Sequence, residues 1–125
     1  MPARLPDTTV EMLRRLAPQL CSHPWFERGT NVQFARAVEA GAVEAWVWER
    51  GAGETLASGS SACAVAAAAM RRGLVSERSI EVRMPGGTLR VTIDERWNVT
   101  LLGPAEGVFQ GTLSEGMIAR LQELS

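Results

Sequence analysis

Residues 50–72 read R-G-A-G-E-T-L-A-S-G-S-S-A-C-A-V-A-A-A-A-M-R-R, and this stretch decides the fold of the chain. Its first half is rich in Gly and Ser, whereas residues 62–70 are all small or apolar. Alanine favours a helix, and a helix that is apolar on every side is typical of a buried position. Gly73 follows where glycine commonly ends a helix. The pattern therefore predicts a Gly/Ser loop that leads into a central, fully buried helix over residues 62–72.

Shorter patterned segments surround this helix on both sides. Residues 7–20 repeat apolar side chains at helical spacing, and Pro18 indicates an end or a kink near Ala17. Runs of alternating or β-branched residues predict strands over residues 32–38, 43–49, 80–84, 89–93 and 97–102. A terminal helix is predicted over residues 113–124, with Ser114 as a possible cap. The architecture that follows is α+β, with an antiparallel sheet wrapped around one buried helix in a single domain over residues 1–125.

Composition and charge limit what the chain is expected to bind. A formal net charge of −1 argues against a nucleic-acid surface. No apolar run is long enough to cross a bilayer, and no export signal is recognisable, so we expect no membrane association and a cytoplasmic location. Two Cys and one His without metal-ligand spacing predict no metal site. All 13 basic residues are Arg, and without Lys the chain cannot hold pyridoxal phosphate as an internal Schiff base.

The loop before the central helix is a candidate anion site. The first turn of a helix leaves backbone N–H groups unpaired, and the helix dipole adds partial positive charge there. Small residues at Gly59, Ser60 and Ser61 allow a ligand to approach these N–H groups closely. The loop lacks the Lys of a phosphate-binding G-x-x-x-x-G-K motif, so a carboxylate suits it better than a phosphate. The alternative is a plain tight loop that packs against the sheet.

Three polar residues upstream of the loop are further candidates, each with two interpretations. Arg50 could bind a carboxylate and Glu49 an ammonium group, or the two could be exposed surface charges that pair with each other. Asn31 could donate a hydrogen bond to a substrate, or it could shape a turn. Cys63 lies on the predicted central helix, where a cysteine is more often a small core residue than a nucleophile.

The string W-E-R-G-A-G-E-T-L-A-S-G-S-S-A-C-A, residues 48–64, resembles the second active-site motif of the diaminopimelate epimerases. H-P-W-F at residues 23–26 and G-T-N-V-Q-F at residues 29–34 are similar to the family's preceding segment. P-G-G-T-L at residues 85–89, G-P-A at 103–105 and V-F-Q-G at 108–111 are similar to the segments that follow. The resemblance runs over residues 5–112 and corresponds to the C-terminal domain of that family.

This resemblance implies a fold and a mechanism. Members have two similar domains, each a β-barrel-like sheet around a central helix, and the active site lies between them. A cysteine from each domain stands at the N-terminus of its helix; one removes the α-proton of the amino acid and the other returns a proton, without pyridoxal phosphate or another cofactor. Carried over by position, the resemblance implies a catalytic position at Ser58, substrate contacts from Asn31, Glu49 and Arg50, and backbone contacts from Gly59 and Ser60.

The chain departs from the family in two respects. Ser58 stands at the position of the catalytic cysteine, and a hydroxyl is a far weaker acid than a thiol. The family's first domain has no counterpart in these 125 residues. The resemblance therefore implies an amino-acid epimerase or racemase domain that pairs with a second copy of itself or with a separate N-terminal-half domain. The alternatives are a non-catalytic module that binds a small carboxylate or supports assembly, and a fragment without independent function.

Overall fold

The computed structural model describes residues 7–124, and side chains from residue 10 onward. The domain predicted over residues 1–125 extends beyond the described residues at both ends. The helices are α1 (Asp7–Cys21), α2 (Gly59–Arg71) and α3 (Glu115–Glu123). The strands are β1 (Val32–Glu39), β2 (Ala42–Glu49), β3 (Gly53–Thr55), β4 (Ser79–Met84), β5 (Gly87–Ile93) and β6 (Val99–Leu102).

These strands form one sheet in the order β1-β2-β4-β5-β6, with β3 paired to β2 beside this path. Neighbouring strands are antiparallel except β2 and β4, which are parallel, with Val43 aligned to Val82. The α+β class is confirmed, but the sheet is mixed where a purely antiparallel one was predicted. The reason is the position of α2, because a helical crossover between two strands of one sheet brings the second strand back in the same direction.

The main core lies between α2 and one face of the sheet. β4 alternates between inward and outward side chains, and Ile80, Val82 and Met84 are its fully buried residues. They pack with inward residues of β2 and β5 and with the buried side of α2. β2 is also covered on its other face, where Trp46 packs against Leu13 of α1. Since β2 lies between two helices, it is the most deeply buried strand and the rigid base of the hairpin that follows it.

Helix α1 continues through Pro18 to Cys21, so a helix end near Ala17 is wrong, and the predicted alternative of a kink there stays a prediction. Ala17 is fully buried beside Leu13 and Trp46, and this packing favours the helical conformation up to the proline. Pro18 removes a single backbone donor, whose usual acceptor would be the carbonyl of Arg14. Arg14 is exposed, so water can satisfy that carbonyl, and the burial of Ala17 helps to offset the cost of about 3 kcal/mol for a proline inside a helix.

Helix α2 differs from its prediction at its start and on one side. It begins at Gly59 because Ser58 caps it, which places the two serines after the glycine inside the first turn. The side that faces the sheet is buried, as predicted, and its residues are Ser61, Ala62, Val65, Ala66 and Ala69. The opposite side is open, with Ala64 and Ala68 exposed, so the prediction of burial on every side is wrong. Within residues 7–124, no element covers this side of the helix.

The apolar side chains beyond β6 are not buried. Residues 103–124 are exposed throughout, and α3 buries no residue. The terminal helix is confirmed with a later start than predicted, and Ser114 is its N-cap, with its hydroxyl accepting a hydrogen bond from the Met117 N–H at 3.3 Å. Among the helices described, none has the length and apolar character needed to span a bilayer.

The β5–β6 turn gives a pH-dependent prediction. The Asp94 carboxylate accepts hydrogen bonds from the Asn98 side-chain amide at 2.8 Å, the Asn98 N–H at 2.9 Å and the Arg96 N–H at 2.8 Å. These bonds, led by the Asn98 side chain, hold the pKa of Asp94 below its usual value. The contribution of Asp94 to stability is therefore complete above its unfolded pKa of about 3.9 and is lost as the pH falls through the lower folded pKa.

A proton NMR titration of the Arg96 and Asn98 amides will measure this effect. We expect both amide signals to shift with a midpoint below the ordinary aspartate pKa, because protonation removes the charge that they bind. Asp94→Asn is the matched control, since it keeps the shape of the side chain and removes the titration. A midpoint at the ordinary aspartate pKa would contradict the hydrogen-bonded turn.

Candidate functional site

The β2–β3 hairpin places Glu49 and Arg50 at its tip. Glu49 is aligned with Gly53, and the Ala52 N–H donates to the Glu49 carbonyl at 3.2 Å, which closes the turn. Gly51 and Gly53 have φ values of 81° and 76°, in the left-handed region that favours glycine. The glycines of the R-G-A-G segment are therefore required by the turn, which presents the two charged residues at the end of the buried strand β2.

The segment between β3 and α2 is held against the β4–β5 turn. The Gly86 N–H donates to the Leu56 carbonyl oxygen at 2.7 Å. A Cβ atom on Gly86 would lie 3.0 Å from that same carbonyl and 3.1 Å from the Ala57 Cβ, so a larger residue would have to push the two segments apart. A Cβ on Gly59 would lie 2.8 Å from the Leu101 Cδ2 of β6. The residues on both sides of Ser58 therefore lie close to neighbouring parts of the sheet: Leu56 and Ala57 before it, and Gly59 after it.

Ser58 is the N-cap of α2 and is half-buried. Its backbone is extended, with φ −150° and ψ 122°, and its carbonyl accepts the Ala62 N–H at 2.9 Å. Its hydroxyl lies 3.4 Å from both the Ser61 N–H nitrogen and the Ser60 Oγ, so these contacts are long. Within residues 7–124, the backbone N–H groups of Gly59 and Ser60 have no acceptor. Two free donors therefore flank the Ser58 hydroxyl at the positive end of a helix dipole.

Gln33 supports this first turn and was missed from the sequence. Its side-chain amide donates to the Ser61 hydroxyl at 3.0 Å, and Ser61 is only 2% exposed. A buried hydroxyl needs a hydrogen-bond partner, so a serine on the buried side of the helix was a signal that one exists. The sequence could not identify that partner because Gln33 lies on β1, 28 residues away.

Asn31 and Arg50 contact each other directly. The Asn31 Oδ1 accepts the backbone N–H of Arg50 at 2.8 Å, and the Arg50 Nη1 donates to the Arg28 carbonyl at 2.6 Å. Asn31 therefore shapes the hairpin, while its own side-chain N–H₂ group has no partner among the described residues. Glu49 is half-buried, and within residues 10–124 neither Glu49 nor Arg50 forms an ion pair. The alternative interpretation of these two charges, as a mutual surface pair, is therefore wrong.

The second glutamate of the motif, Glu54, has a structural role that the sequence did not indicate. Its carboxylate binds the Arg14 guanidinium with two contacts of 2.7 and 3.2 Å, joining β3 to α1. The hydrogen bond from Glu54 is the main reason that the pKa of Arg14 is raised. Both side chains are substantially exposed, so this pair positions the hairpin more than it stabilises the domain.

The predicted site residues thus fall into two groups on neighbouring segments. One group surrounds the start of α2 and contains Ser58, Gly59 and Ser60. The other lies at the hairpin tip and contains Asn31, Glu49 and Arg50. No hydrogen bond joins the two groups within residues 10–124, and the three-residue strand β3 connects them. In the same part of the chain, Cys21 and Cys63 are free thiols, and no group of three or more His, Cys, Asp or Glu side chains could hold a metal ion.

Gly29 controls the position of Arg50, which gives a second prediction. Gly29 has a φ of 71°, and a Cβ there would lie 2.9 Å from the Arg50 Cδ and 3.1 Å from the Cys21 carbonyl oxygen. Gly29→Ala is expected to lower the free energy of unfolding by about 2 kcal/mol, from the left-handed backbone and the displaced arginine together. Urea unfolding monitored by circular dichroism measures this change.

Gly73→Ala is the matched control for Gly29→Ala. Gly73 has nearly the same φ, 69°, but a Cβ there would meet no atom within 4 Å. It should therefore report the backbone cost alone, about 1 kcal/mol. Equal losses in the two variants would show that the close approach of Arg50 to Gly29 does not affect the free energy of unfolding.

Comparison with known proteins places these observations in a family. The sequence profile of the diaminopimelate epimerases matches residues 4–108. A diaminopimelate epimerase of Xylella fastidiosa (strain M23) is 47% identical over 107 residues, which are 82% of this chain and 36% of that protein. Diaminopimelate epimerase 2 of Nostoc sp. is 37% identical over 115 residues, which are 92% of this chain and 40% of that protein.

A solved structure supports the fold. The Bacillus anthracis phenazine biosynthesis protein of the PhzF family matches with a TM-score of 0.52 and 18% identity, over 78% of this chain and 30% of that protein. Measured against the two epimerases named above, the chain spans 36 to 40% of their length. The profile match covers the hairpin, the loop and the whole of α2, which are the elements that build the candidate site. The chain belongs to the diaminopimelate epimerase family.

Proposed function

We propose that this domain binds the α-carboxylate of an amino acid at the N-terminus of α2 and contributes to epimerisation or racemisation when it is paired with a second domain. The observation that carries the proposal is the pair of free N–H groups of Gly59 and Ser60 beside the Ser58 hydroxyl. A carboxylate can accept both hydrogen bonds, and the helix dipole favours its charge. Membership of the family supplies the reaction class.

The hairpin tip carries groups that complement the rest of an amino acid. Arg50 uses one guanidinium nitrogen on the Arg28 carbonyl and keeps further donors for a carboxylate. The Glu49 carboxylate, half-buried and without an ion pair among residues 10–124, suits an ammonium group. The free N–H₂ group of Asn31 adds one more donor. Opposite charges at one tip are what a zwitterionic substrate requires.

Ser58 limits the chemistry that this domain performs. A hydroxyl can donate or relay a proton, but it is a poor base unless another group activates it. This chain therefore supplies at most one side of a two-sided proton exchange at Cα. The thiolate that removes the proton has to come from a separate N-terminal-half domain, because a second copy of this chain also carries Ser58. Since the chain has no Lys, the proposed reaction proceeds without an internal pyridoxal Schiff base from it.

Exposed apolar side chains support the need for a second domain. Trp25 is 86% exposed, Val108 89% and Phe109 91%, and all three belong to segments that resemble those of the family. Leu56 lies next to the candidate site and is 63% exposed. Large apolar side chains in this number mark an interaction surface. The partner is either a second copy of this chain or a separate N-terminal-half domain.

Substitutions at Ser60 test the carboxylate site. Ser60→Pro removes one backbone donor in the first turn, where proline is tolerated. We expect it to weaken the binding of diaminopimelate about tenfold or more, because a hydrogen bond to a charged group contributes about 1.5–3 kcal/mol. Ser60→Ala keeps the N–H and should bind within about twofold of the parent. Titration by NMR measures both, following the Gly59 amide in all three proteins and the amide of residue 60 in the parent and in Ser60→Ala.

The same titration can exclude the site. If neither amide of the parent chain responds to diaminopimelate or to other amino acids, a carboxylate does not bind at the start of α2.

Ser58 also favours the second candidate function, a module that binds a small carboxylate without catalysis. Incubation in heavy water with the first domain of an epimerase relative distinguishes the two. Binding without deuterium incorporation at Cα would favour the non-catalytic module.

A further inference from the structure

Ser61 is an unexpected residue type for the place that it occupies. Among residues 10–124 it is the only polar or charged residue that is buried. The other buried residues of α2 are Ala62, Val65, Ala66 and Ala69. Alanine has a higher helix propensity than serine and carries no side-chain polar atom that needs a partner. Neither helix formation nor burial therefore explains a serine at this position.

Gln33 on β1 is the partner of this buried serine. It is aligned with Val47 across the β1–β2 pair, so its side chain lies on the sheet face that packs against α2. The next two residues of β1 on that face are Ala35 and Ala37. Gln33 is therefore the one long polar side chain on this face of β1, and its amide reaches the Ser61 hydroxyl at 3.0 Å.

The stability of the domain does not account for this pair. The net contribution of a buried hydrogen bond is small, because both groups give up hydrogen bonds to water when they form it. Replacing both partners by apolar groups of similar shape is often neutral, whereas removing only one leaves the other unsatisfied. An apolar pair at Gln33 and Ser61 would therefore be about as stable, and the polar pair is better explained by a role in arranging the first turn of α2.

The backbone of Ser61 also contacts the N-cap of the helix. Its N–H donates to the Ser58 hydroxyl, with 3.4 Å between nitrogen and oxygen. This distance is at the outer limit of a hydrogen bond, so a shift of Ser61 by a few tenths of an ångström would strengthen or break the contact. The Ser58 hydroxyl accepts this bond, and its own hydrogen is directed to the Ser60 hydroxyl, also at 3.4 Å, or to a ligand. Gln33 and Ser61 therefore connect β1 to the residue at the catalytic position.

We propose that Gln33 is a positioning residue for the start of α2. It holds the Ser61 side chain, and through Ser61 it sets the distance from the first-turn N–H groups to the Ser58 hydroxyl. The N–H groups of Gly59 and Ser60 belong to the same turn of backbone, so a displacement of Ser61 moves them as well. The inference rests on the proposed function, because the group that these donors are arranged to bind is the amino-acid carboxylate.

The first test uses a cysteine at position 58 and needs no substrate. N–H groups at a helix N-terminus stabilise a thiolate, so the pH dependence of alkylation in Ser58→Cys reports how these groups are arranged. Adding Gln33→Met keeps the length of the side chain and removes the donor, and it should raise the pKa of that thiol by about half a unit. Gln19→Met is the matched control and should leave this pKa unchanged, because Gln19 is exposed on α1 and its amide donates to the Arg15 carbonyl.

A second substitution separates positioning from stability. Gln33→Met alone leaves the buried Ser61 hydroxyl without its partner and should lower the midpoint of urea unfolding. Adding Ser61→Ala removes that hydroxyl and should restore the midpoint to near the parent value. The pKa of a thiol at position 58 should stay raised in this stable double variant, because the link from β1 to the first turn is still missing. A role in stability alone would instead restore the midpoint and the pKa together.

Carboxylate binding gives an independent second readout. Half a pKa unit corresponds to about a threefold change in an equilibrium constant, so the double variant should bind diaminopimelate about threefold more weakly than the parent. The amides of Gly59 and Ser60 report this in an NMR titration. If the parent does not bind, the proposed function fails, but the alkylation profiles still test Gln33. The proposal is overturned if Gln33→Met leaves the pKa of the thiol unchanged, or if the double variant regains both the midpoint and the pKa.

Discussion

Replacing Ala66 by glutamate is expected to unfold the domain at neutral pH. Ala66 is 0% exposed and faces the sheet from the middle of α2, among the buried residues of the main core. Burying a carboxylate without a partner costs several kcal/mol, and the added volume costs about 1–3 kcal/mol more. Their sum is comparable to the whole stability of a small domain, about 5–15 kcal/mol. Circular dichroism at 222 nm during urea unfolding gives the measurement.

Ala68→Glu is the control for this prediction. Ala68 is on the same helix two residues later and is exposed, so the same substitution there buries no charge. We expect its free energy of unfolding to lie within about 1 kcal/mol of the parent. Two variants with similar stability would contradict the assignment of the buried and open sides of α2.

The order of elements was predictable because each segment carries its own periodicity. Alternating residues in β2, β4 and β5 and the alanine-rich run of α2 are enough to indicate an α+β fold. The direction of pairing was not predictable in the same way. An alternating strand looks the same in a parallel and in an antiparallel pair, so the parallel contact of β2 with β4 follows only from where α2 crosses the sheet.

Burial on every side of α2 was a wrong prediction for an instructive reason. The sequence of residues 62–70 records that every side of the helix is apolar, but it does not record which element covers each side. In the described chain the sheet covers one side, and Ala64 and Ala68 remain exposed on the other. A sequence pattern of this kind therefore reports how apolar each side of a helix is, and not whether that side is buried.

The candidate site was predictable as a set of residues but not as a set of contacts. Ser58, Gly59 and Ser60 are adjacent in sequence, so their place at the start of a helix could be deduced from local rules. The bond from Asn31 to Arg50 joins residues 19 apart, and that from Gln33 to Ser61 joins residues 28 apart. Such contacts depend on the pairing of β1 with β2 and the packing of α2, which local patterns do not determine.

Ser58→Cys is expected to create an acidic, reactive thiol. A free cysteine has a pKa of about 8.5, and the N-terminus of a helix lowers it because the dipole and free N–H groups stabilise the thiolate. Position 58 is half-buried, caps a thirteen-residue helix and adjoins the free amides of Gly59 and Ser60. We therefore expect its alkylation by iodoacetamide to reach half its maximal rate below pH 8.5, by about one unit or more.

Two comparisons isolate the effect of the helix on this thiol. Ser76→Cys is the matched control, because Ser76 is exposed in a loop and should give an ordinary cysteine pKa of about 8.5. The parent chain reports the background from Cys21 and Cys63, which are half-buried. If the thiol at position 58 has the same pKa as the thiol of the Ser76→Cys variant, the start of α2 does not stabilise negative charge. This test does not need a second domain.

The same substitution has the largest expected consequence for catalysis. At neutral pH a serine hydroxyl is not ionised, whereas a thiol with a lowered pKa is partly thiolate, and a positioned general base contributes about 10²–10⁴ in rate. With the first domain of an epimerase relative present, Ser58→Cys should therefore raise deuterium exchange at Cα of diaminopimelate by about 100-fold or more. A reactive thiol without this increase would mean that position 58 does not face the α-proton. Because alkylation tests the environment of position 58 and exchange tests its alignment with substrate, the two measurements separate a preserved carboxylate site from a preserved catalytic one.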